Sequence, residues 1–376
     1  CRRAGPDPSE EENNMQQTVL DNIRFQPQVL PQVLENQAVF VEPFVELFRK
    51  HDIKRIYFFG SGTSYNVSQI AAYYFKHIVG IEGIAQYPTV FKNYEKADWT
   101  GLLRNDQILF VGISQSGTSV STCEVMAHAK ANGYPTLALT GNLESEITKH
   151  VDTAVHLLVG EELTPPETKG YTVSVLSAYL WAVGVARDKG VYSEEEYQTA
   201  IRETKELVDN FQTVIEESEA WYDRNRASIV NSDRLFVLGY GIDYGSMLEG
   251  MLKVGEMLRL PTIGYEIEEY SHGPTMALKP NQTLFMIGSD EAEFERMLQF
   301  RAAFKKYTDR VHVITCREIE GDSRDLVFGI KANKFIAPLM YTVPFQFVAA
   351  KGAKDIFIDT NINPFDEPLA HYPDGE

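Results

Sequence analysis

Residues 108–122, ILFVGISQSGTSVST, restrict the folds open to this chain more than any other stretch. Ile108 to Gly112 are apolar or small, which is typical of a buried strand, and Val120 to Ala131 has the pattern of a helix. Free backbone N–H groups and the helix dipole at the hydroxyl-rich turn between them attract an anion, so the turn predicts a phosphate site. The alternative is an ordinary helix cap, because Ser and Thr are preferred N-cap residues.

The same order of strand, turn and helix recurs along the chain. Arg55 to Phe59 lead into GSGTS at 60–64, and Leu235 to Leu238 lead into GYGIDY at 239–244. Thr283 to Ile287 followed by Gly288-Ser289-Asp290 similarly echoes the first stretch. We therefore predict a repeated α/β domain with parallel sheets, in which ligands bind at the carboxyl ends of the strands. Phosphate is expected only in the first half, because the second copy lacks the hydroxyl clusters.

A length of 376 residues favours two domains. The predicted division is a disordered or vector-derived tail at 1–14, a first domain with N-terminal helices at 15–190, a linker helix at 191–232, a second domain at 233–360 and a C-terminal tail at 361–376. Within it we expect a short helix after Pro31, one charged helix from Ser193 to about Asn225 and a last strand at Ala353 to Ile358. The C-terminal tail either is a loose end or folds back over a site.

The composition excludes several classes of protein. A formal charge of −18 argues against binding to nucleic acid or to anionic membranes. The three cysteines show no metal-ligand spacing, and no apolar run approaches the length of a membrane span. We therefore expect a cytoplasmic protein without a disulfide framework or a cysteine-based metal site.

Two further patterns carry candidate chemistry. Glu249, Lys253 and Glu256 stand at i, i+4 and i+7, so one helix face is expected to hold two carboxylates and an ammonium. Such a triplet is either a solvated face of salt bridges or a partly buried site in which a carboxyl pKa is raised. Ser271-His272-Gly273-Pro274 follows, and a histidine in such a turn is most often a surface residue.

Together these motifs resemble the SIS (sugar isomerase) family in its double-domain form, from about residue 40 to the C-terminus. The turn at 60–66, Ser114-Gln115-Ser116-Gly117, Leu248-Glu249-Gly250 with Lys253 and Glu256, and the His272 turn look like the isomerase half of glucosamine-6-phosphate synthase. The resemblance implies two SIS domains, each a doubly wound, flavodoxin-like parallel sheet flanked by helices. It also implies a homodimer with a shared active site, because the equivalent histidine of the synthase reaches in from a second subunit.

The resemblance assigns roles to individual residues. It implies that Glu256 moves a proton between C1 and C2 of the sugar and that His272 assists ring opening. The residues implied to bind the substrate and its 6-phosphate are Gly62, Thr63, Ser64, Ser114, Gln115, Ser116, Thr118 and Ser119. Further candidates for substrate binding are Ser61, Glu167, Lys253 and His371.

Departures from the synthase suggest a particular branch of the family. The glutaminase domain is not found, and Leu369-Ala370-His371 stands where Leu-Ala-Lys, with the Schiff-base lysine, is expected. Fructosamine-6-phosphate deglycases, which release an amino acid and a hexose 6-phosphate, resemble this chain in length, in lacking the glutaminase domain and in having a Glu and His pair at this separation. The chemistry that this resemblance implies requires no metal and no organic cofactor. The alternatives are an aldose–ketose isomerase, an ammonia-dependent glucosamine-6-phosphate-forming enzyme, or a non-catalytic sugar-phosphate sensor. Glu167 is a candidate partner for a cationic amine.

Overall fold

The protein is described by a computed structural model over residues 17–364. The predicted tail at 1–14, His371 and most of the predicted tail at 361–376 lie outside these residues.

Two helices precede the first sheet: α1 Val19–Glu35 and α2 Ala38–Lys50. The prediction that a short helix follows Pro31 is wrong, because α1 begins at Val19, where Thr18 forms a capping box with Asp21. Pro27 and Pro31 lie inside this helix. Its buried apolar stripe packs against α6 (Lys169–Asp188) and outweighs the local cost of the two prolines.

The first half forms a five-stranded parallel sheet in the order β2-β1-β3-β4-β5. Its strands are β1 Arg55–Phe59, β2 Glu82–Gln86, β3 Ile108–Ile113, β4 Thr136–Thr140 and β5 Thr153–His156. The helices before α6 are α3 Thr63–Tyr74, α4 Pro88–Tyr94 and α5 Val120–Ala131. Short 3-10 turns lie at Asn105–Gln107 and Glu146–His150.

The segment between the sheets contains two helices, α7 Glu194–Asp209 and α8 Phe211–Val230. The prediction of one continuous helix from Ser193 to about Asn225 is therefore wrong. The chain breaks at Asn210, whose φ of −103° and ψ of 12° leave the helical range and let α8 turn inward. Trp221 and Tyr222 of α8 are then buried in the second half.

The second half repeats the first, since its sheet has the order β7-β6-β8-β9-β10 with every pair parallel. Its strands are β6 Leu235–Gly239, β7 Thr262–Glu266, β8 Thr283–Ile287, β9 Val311–Thr315 and β10 Leu326–Val327. Its helices are α9 Asp243–Lys253, α10 Ile267–Ser271, α11 Phe294–Phe304, α12 Pro338–Tyr341 and α13 Val343–Asp355, with a 3-10 turn at Pro274–Ala277. Two doubly wound parallel sheets with flavodoxin-like strand order confirm the predicted fold.

The predicted last strand at Ala353 to Ile358 is wrong. These residues begin in α13 and continue into a turn. The helix is buried along most of its length between α8 and the turn that follows α9, and its charged positions are confined to its last turns, so the sequence shows little helical period.

Helices α3 and α9 bring the two halves into direct contact. A Cβ atom on Gly245 would lie 2.5 Å from Ile70 Cγ1 and 3.0 Å from the carbonyl oxygen of Asn66, so only glycine permits this approach. Each helix continues as a π-helical turn, Phe75–Val79 after α3 and Val254–Leu258 after α9. One apolar core runs through both halves, which fixes the relative position of the first-half turns and the second-half acidic helix.

No helix within residues 17–364 is both long enough and apolar enough to cross a membrane.

Candidate active site

The two hydroxyl-rich turns of the first half lie at one edge of its sheet. β1 pairs with β3 in register up to Phe59 and Gly112, so the turns that follow these strands are neighbours. The Ser61 and Ser121 hydroxyl oxygens are 3.4 Å apart. The carboxyl edge of a parallel sheet is where such folds bind ligands, so the sequence-predicted phosphate residues are gathered on the expected side.

The turn after β3 is ordered by its own hydroxyl groups. Ser114 Oγ accepts a hydrogen bond from the Gly117 N–H at 3.1 Å, and Ser116 Oγ accepts one from the Thr118 hydroxyl at 3.0 Å. Ser119 occupies the N-cap position of α5, but its side chain does not bond to the helix backbone. Instead, the Ser119 hydroxyl accepts a hydrogen bond from the Thr122 hydroxyl at 3.3 Å, so Ser119 does not cap the α5 backbone through its side chain. The phosphate role of these residues remains a prediction.

At the equivalent edge of the second sheet, the side chain of Asp243 occupies the position that a bound anion would take. Asp243 stands in the second turn where Ser64 stands in the first, and it is fully buried. Its carboxylate accepts hydrogen bonds from the Ser289 N–H at 2.7 Å and from the Ser289 hydroxyl at 2.9 Å. The Asp243 carboxyl group fills this place and uses the Ser289 donors that an anion would need, which supports the prediction that only the first half binds phosphate.

Asp243 also makes the stability of the fold depend on pH. Burial raises its pKa to about 7, although the two bonds from Ser289 oppose the shift. The native state therefore holds a proton that the unfolded chain releases near pH 4, and this contribution to stability is lost as the pH rises toward 7. As the pH rises from 4 to 8, we expect the free energy of unfolding of Asp243→Asn to increase relative to that of wild type by on the order of 3 kcal/mol.

Urea denaturation of wild type and Asp243→Asn across this pH range measures the gain. Asp106→Asn serves as the control, because the Asp106 side chain is 49% exposed. Parallel stability curves for wild type and Asp243→Asn would contradict the assignment.

An acidic cluster from the second half bonds directly to the first. Asn66 Nδ2 donates a hydrogen bond to Glu249 Oε2 at 2.8 Å, and the Thr63 hydroxyl donates one to Glu249 Oε1 at 3.3 Å. Lys253 Nζ lies 3.7 Å from Glu249 Oε1 and 2.9 Å from Glu256 Oε2. The triplet predicted from the sequence therefore shares one face and touches the first hydroxyl turn.

Burial decides between the two interpretations of this triplet. The side chains of Glu249 and Lys253 are 0% and 2% exposed, so the face is not a solvated row of salt bridges. Burial raises the pKa of Glu249, an effect that Lys253 opposes. Burial alone would lower the pKa of Lys253, but Glu249, Glu256 and Glu167 outweigh it and raise that pKa, so the ammonium stays protonated.

Glu256 is the accessible member of the cluster. Glu256 lies in the π-helical turn after α9, and its side chain is 36% exposed. Its carboxylate forms an ion pair with the buried Lys253. Glu256 lines an open cleft of about 360 Å³ together with Pro165, Pro166 and Arg259. A carboxylate fixed by an ammonium at the wall of a cleft is suited to exchange protons with a bound molecule.

Glu167 borders the same region. It is partly buried between the two prolines and α6, and burial raises its pKa to about 7 even though Lys253 opposes the shift. A carboxyl group with this pKa can exist in either protonation state near neutral pH. Its predicted pairing with a cationic amine remains a prediction.

Glu162 is a structural member of the site that the sequence did not reveal. Its carboxylate accepts hydrogen bonds from the backbone N–H groups of Lys169 and Gly170 at the start of α6, and from Gln115 Nε2 at 3.1 Å. It thereby connects the turn at 114–119 to the segment that carries Glu167. The signal was weak, because an acidic residue seven positions before a helix usually belongs to a loop.

His272 is not joined to this cluster within one chain. It is exposed at the end of α10, and among the described residues no hydrogen bond or ion pair links it to Glu256. Its predicted action in a shared active site therefore remains a prediction about a second subunit. Within residues 17–364, no group of three or more His, Cys, Asp or Glu side chains is placed to hold a metal ion.

Comparison with known proteins identifies the first half. Residues 51–184 match the SIS domain model, so this part of the chain is an SIS domain. The glutamine–fructose-6-phosphate aminotransferase (isomerizing) of Fusobacterium nucleatum is 27% identical over 339 residues, which cover 88% of this chain and 54% of that protein. The corresponding protein of Thermococcus kodakarensis is 25% identical and is covered over 54% of its length. The chain spans about half the length of the curated relatives it matches.

Solved structures extend the similarity to both halves. A Clostridium difficile protein, provisionally named a phosphosugar isomerase, is 26% identical with a TM-score of 0.83, covering 93% of this chain and 96% of that one. The C-terminal domain of the glucosamine-fructose-6-phosphate aminotransferase from Francisella tularensis superimposes with a TM-score of 0.80 at 20% identity, covering 93% of this chain and 98% of that one. The fold is therefore the two-domain SIS fold, and the chain is homologous to isomerase domains of this type.

Proposed function

We propose that this double-SIS chain is a fructosamine-6-phosphate-type deglycase that cleaves a 6-phosphorylated sugar–amino acid adduct into a hexose 6-phosphate and a free amine. One observation carries the proposal. Glu249 of the second half is bonded to Thr63 and Asn66 beside the first-half phosphate turn, and through Lys253 it leads to the exposed Glu256. This chain of contacts supports the proposal that the anion donors of the first half and a proton-transferring carboxylate of the second half act on one substrate.

The uncharged donors of the first half suit the phosphate end of such a substrate. A chain with a formal charge of −18 repels anions over most of its surface, so binding must come from local N–H and hydroxyl groups. The turn at 114–119 and the start of α5 supply them.

Glu256 is proposed as the base that shuttles one proton. After the sugar ring opens, the carboxylate removes a proton from C1, which bears the amine, while the C2 oxygen gains a proton to give an enaminol. Return of the proton to C2, with release of the N–H proton, gives an imine at C1 and balances the proton that the C2 oxygen gained. Water then adds to this imine, and the carbon–nitrogen bond breaks to release the aldose 6-phosphate and the amine. His272 of a second copy is proposed to assist ring opening, so the active form is a homodimer.

The state of Lys253 favours a substrate that brings its own nitrogen. An amine must be neutral to attack a carbonyl, whereas Lys253 is held protonated between Glu249 and Glu256. The sequence also carries His371 where the resemblance predicts the Schiff-base lysine of the synthase. Because sugar phosphates are kept inside cells by their charge, the proposal places the protein in the cytoplasm.

A second candidate, aldose–ketose isomerisation of a sugar phosphate, is favoured by the homology to aminotransferases named as isomerizing. It requires the same Glu256 shuttle but no amine. An ammonia-dependent glucosamine-6-phosphate-forming reaction would instead consume an amine. A non-catalytic sensor would need the phosphate turn alone.

Incubation with fructoselysine 6-phosphate tests the proposal. We expect stoichiometric release of hexose 6-phosphate and free lysine, measured by coupled enzymatic assay and by chromatography. The control reaction contains fructose 6-phosphate without amine, in which appearance of glucose 6-phosphate would favour the isomerase. Absence of release from this and from other glycated amino acid 6-phosphates would refute the deglycase.

A further inference from the structure

The cleft beside Glu256 is lined by different residues from those of the hydroxyl-rich turns. The bonds run from Thr63 through Glu249 and Lys253 to Glu256, whose side chain forms part of the cleft wall. The remaining wall is formed by two proline rings and by the segment at 360–364, with a single guanidinium, that of Arg259. A substrate held by its phosphate and presented to Glu256 would place its amine portion here.

Arg259 is held in an unusual backbone conformation at this wall. It ends the π-helical turn with a φ of 57°, a left-handed conformation that non-glycine residues seldom adopt. Its Nη2 donates a hydrogen bond to the Ile362 carbonyl oxygen at 2.7 Å and a longer one to that of Asp359 at 3.4 Å. These contacts fix the guanidinium three residues beyond the proposed base.

Toward residues 17–364 the guanidinium has further donors that make no hydrogen bond. Within residues 17–364 no carboxylate lies within 4.0 Å of it, and the hydrogen bonds to described residues use only Nη2. Arginine presents a planar set of N–H donors that matches a carboxylate. A cation beside an acidic cluster also offsets the repulsion that an anionic group would meet there.

We propose that Arg259 binds the carboxylate of the amino acid portion of the substrate, so that the enzyme selects amino acid adducts over adducts of simple amines. This inference rests on the proposed deglycase function. Pro165 and Pro166 supply a rigid apolar wall for the carbon chain between the reacting nitrogen and that carboxylate.

Two substrates that differ only in the carboxylate test the assignment. Fructoselysine 6-phosphate, linked through the side-chain nitrogen, is compared with the corresponding cadaverine adduct, which lacks the carboxylate. We expect wild type to cleave the lysine adduct with a kcat/KM about 10–100-fold higher, the effect of a hydrogen bond to a charged group. Arg259→Asn should lower kcat/KM for the lysine adduct to the value for the cadaverine adduct and leave the latter unchanged. Asparagine is chosen because it tolerates the left-handed backbone but carries no charge.

The control variant is Arg259→Lys, which keeps the charge and should retain part of the preference. Equal losses on both adducts in Arg259→Asn would show that Arg259 only supports the segment at 359–362, and would overturn the inference. Equal cleavage of both adducts by wild type would overturn it while leaving the deglycase intact. Cleavage of neither adduct would remove the proposed function and the inference with it.

Discussion

Replacing Glu256 by glutamine is expected to lower kcat for a 6-phosphorylated sugar adduct by about 10²–10⁴-fold, the usual contribution of a positioned general base. Glutamine preserves the shape of the side chain and still accepts a hydrogen bond from Lys253 Nζ, which lies 2.9 Å from Glu256 Oε2 in the wild-type structure. It cannot take up the C1 proton, so substrate binding should persist while chemistry fails. Single-turnover measurement of hexose 6-phosphate release reports this directly.

The matched control is Glu124→Gln. Glu124 is an exposed carboxylate paired with Lys92 at 2.8 Å, so its loss reproduces the change in charge and in ion pairing away from the cluster. Affinity of Glu256→Gln for fructose 6-phosphate should remain within a few-fold of wild type, which separates lost catalysis from lost structure. Undiminished turnover in Glu256→Gln would rule out the proposed proton shuttle.

The strands and the hydroxyl turns were predictable because each is a local pattern. The apolar runs at Arg55–Phe59 and Ile108–Ile113 contain too few residues for a helix and end at glycine and serine. Parallel pairing then follows from the alternation of strands and helices, so the common carboxyl edge was also predictable, whereas the strand order was implied only by the family resemblance. Helical spacing alone placed Glu249 and Lys253 on one face.

The partners of that face were not predictable. Glu249 is bonded to Asn66, 183 positions earlier, and no local pattern connects residues so far apart. The close approach of α9 to α3 depends on Gly245, which packs against the backbone of α3. The sequence contains 26 glycines and nothing in it distinguishes this one. For the same reason, the sequence could not show which of the two glutamates is buried. In the structure the buried one is Glu249, and Glu256 is partly exposed.

Gly117→Ala is expected to weaken binding of fructose 6-phosphate at least about tenfold, which corresponds to about 1.4 kcal/mol. Gly117 has a φ of 71°, and a Cβ atom there would lie 1.9 Å from Ser145 Oγ. Ser145 must then move, although its hydroxyl donates a 2.6 Å hydrogen bond to the Asn142 carbonyl oxygen. Isothermal titration with fructose 6-phosphate measures the loss.

Gly133→Ala separates this clash from the general cost of the backbone conformation. Gly133 has a φ of 75°, nearly that of Gly117, but a Cβ atom there meets nothing within 4 Å. Both variants bear the roughly 1–2 kcal/mol cost of an L-residue in the left-handed region, whereas Gly117→Ala adds an overpacking cost of about 1–3 kcal/mol inside the turn. Gly133→Ala should therefore lose stability but keep its affinity for the sugar phosphate. If both variants bind fructose 6-phosphate like wild type, the turn at 114–119 does not hold the phosphate, and the anion must be bound elsewhere.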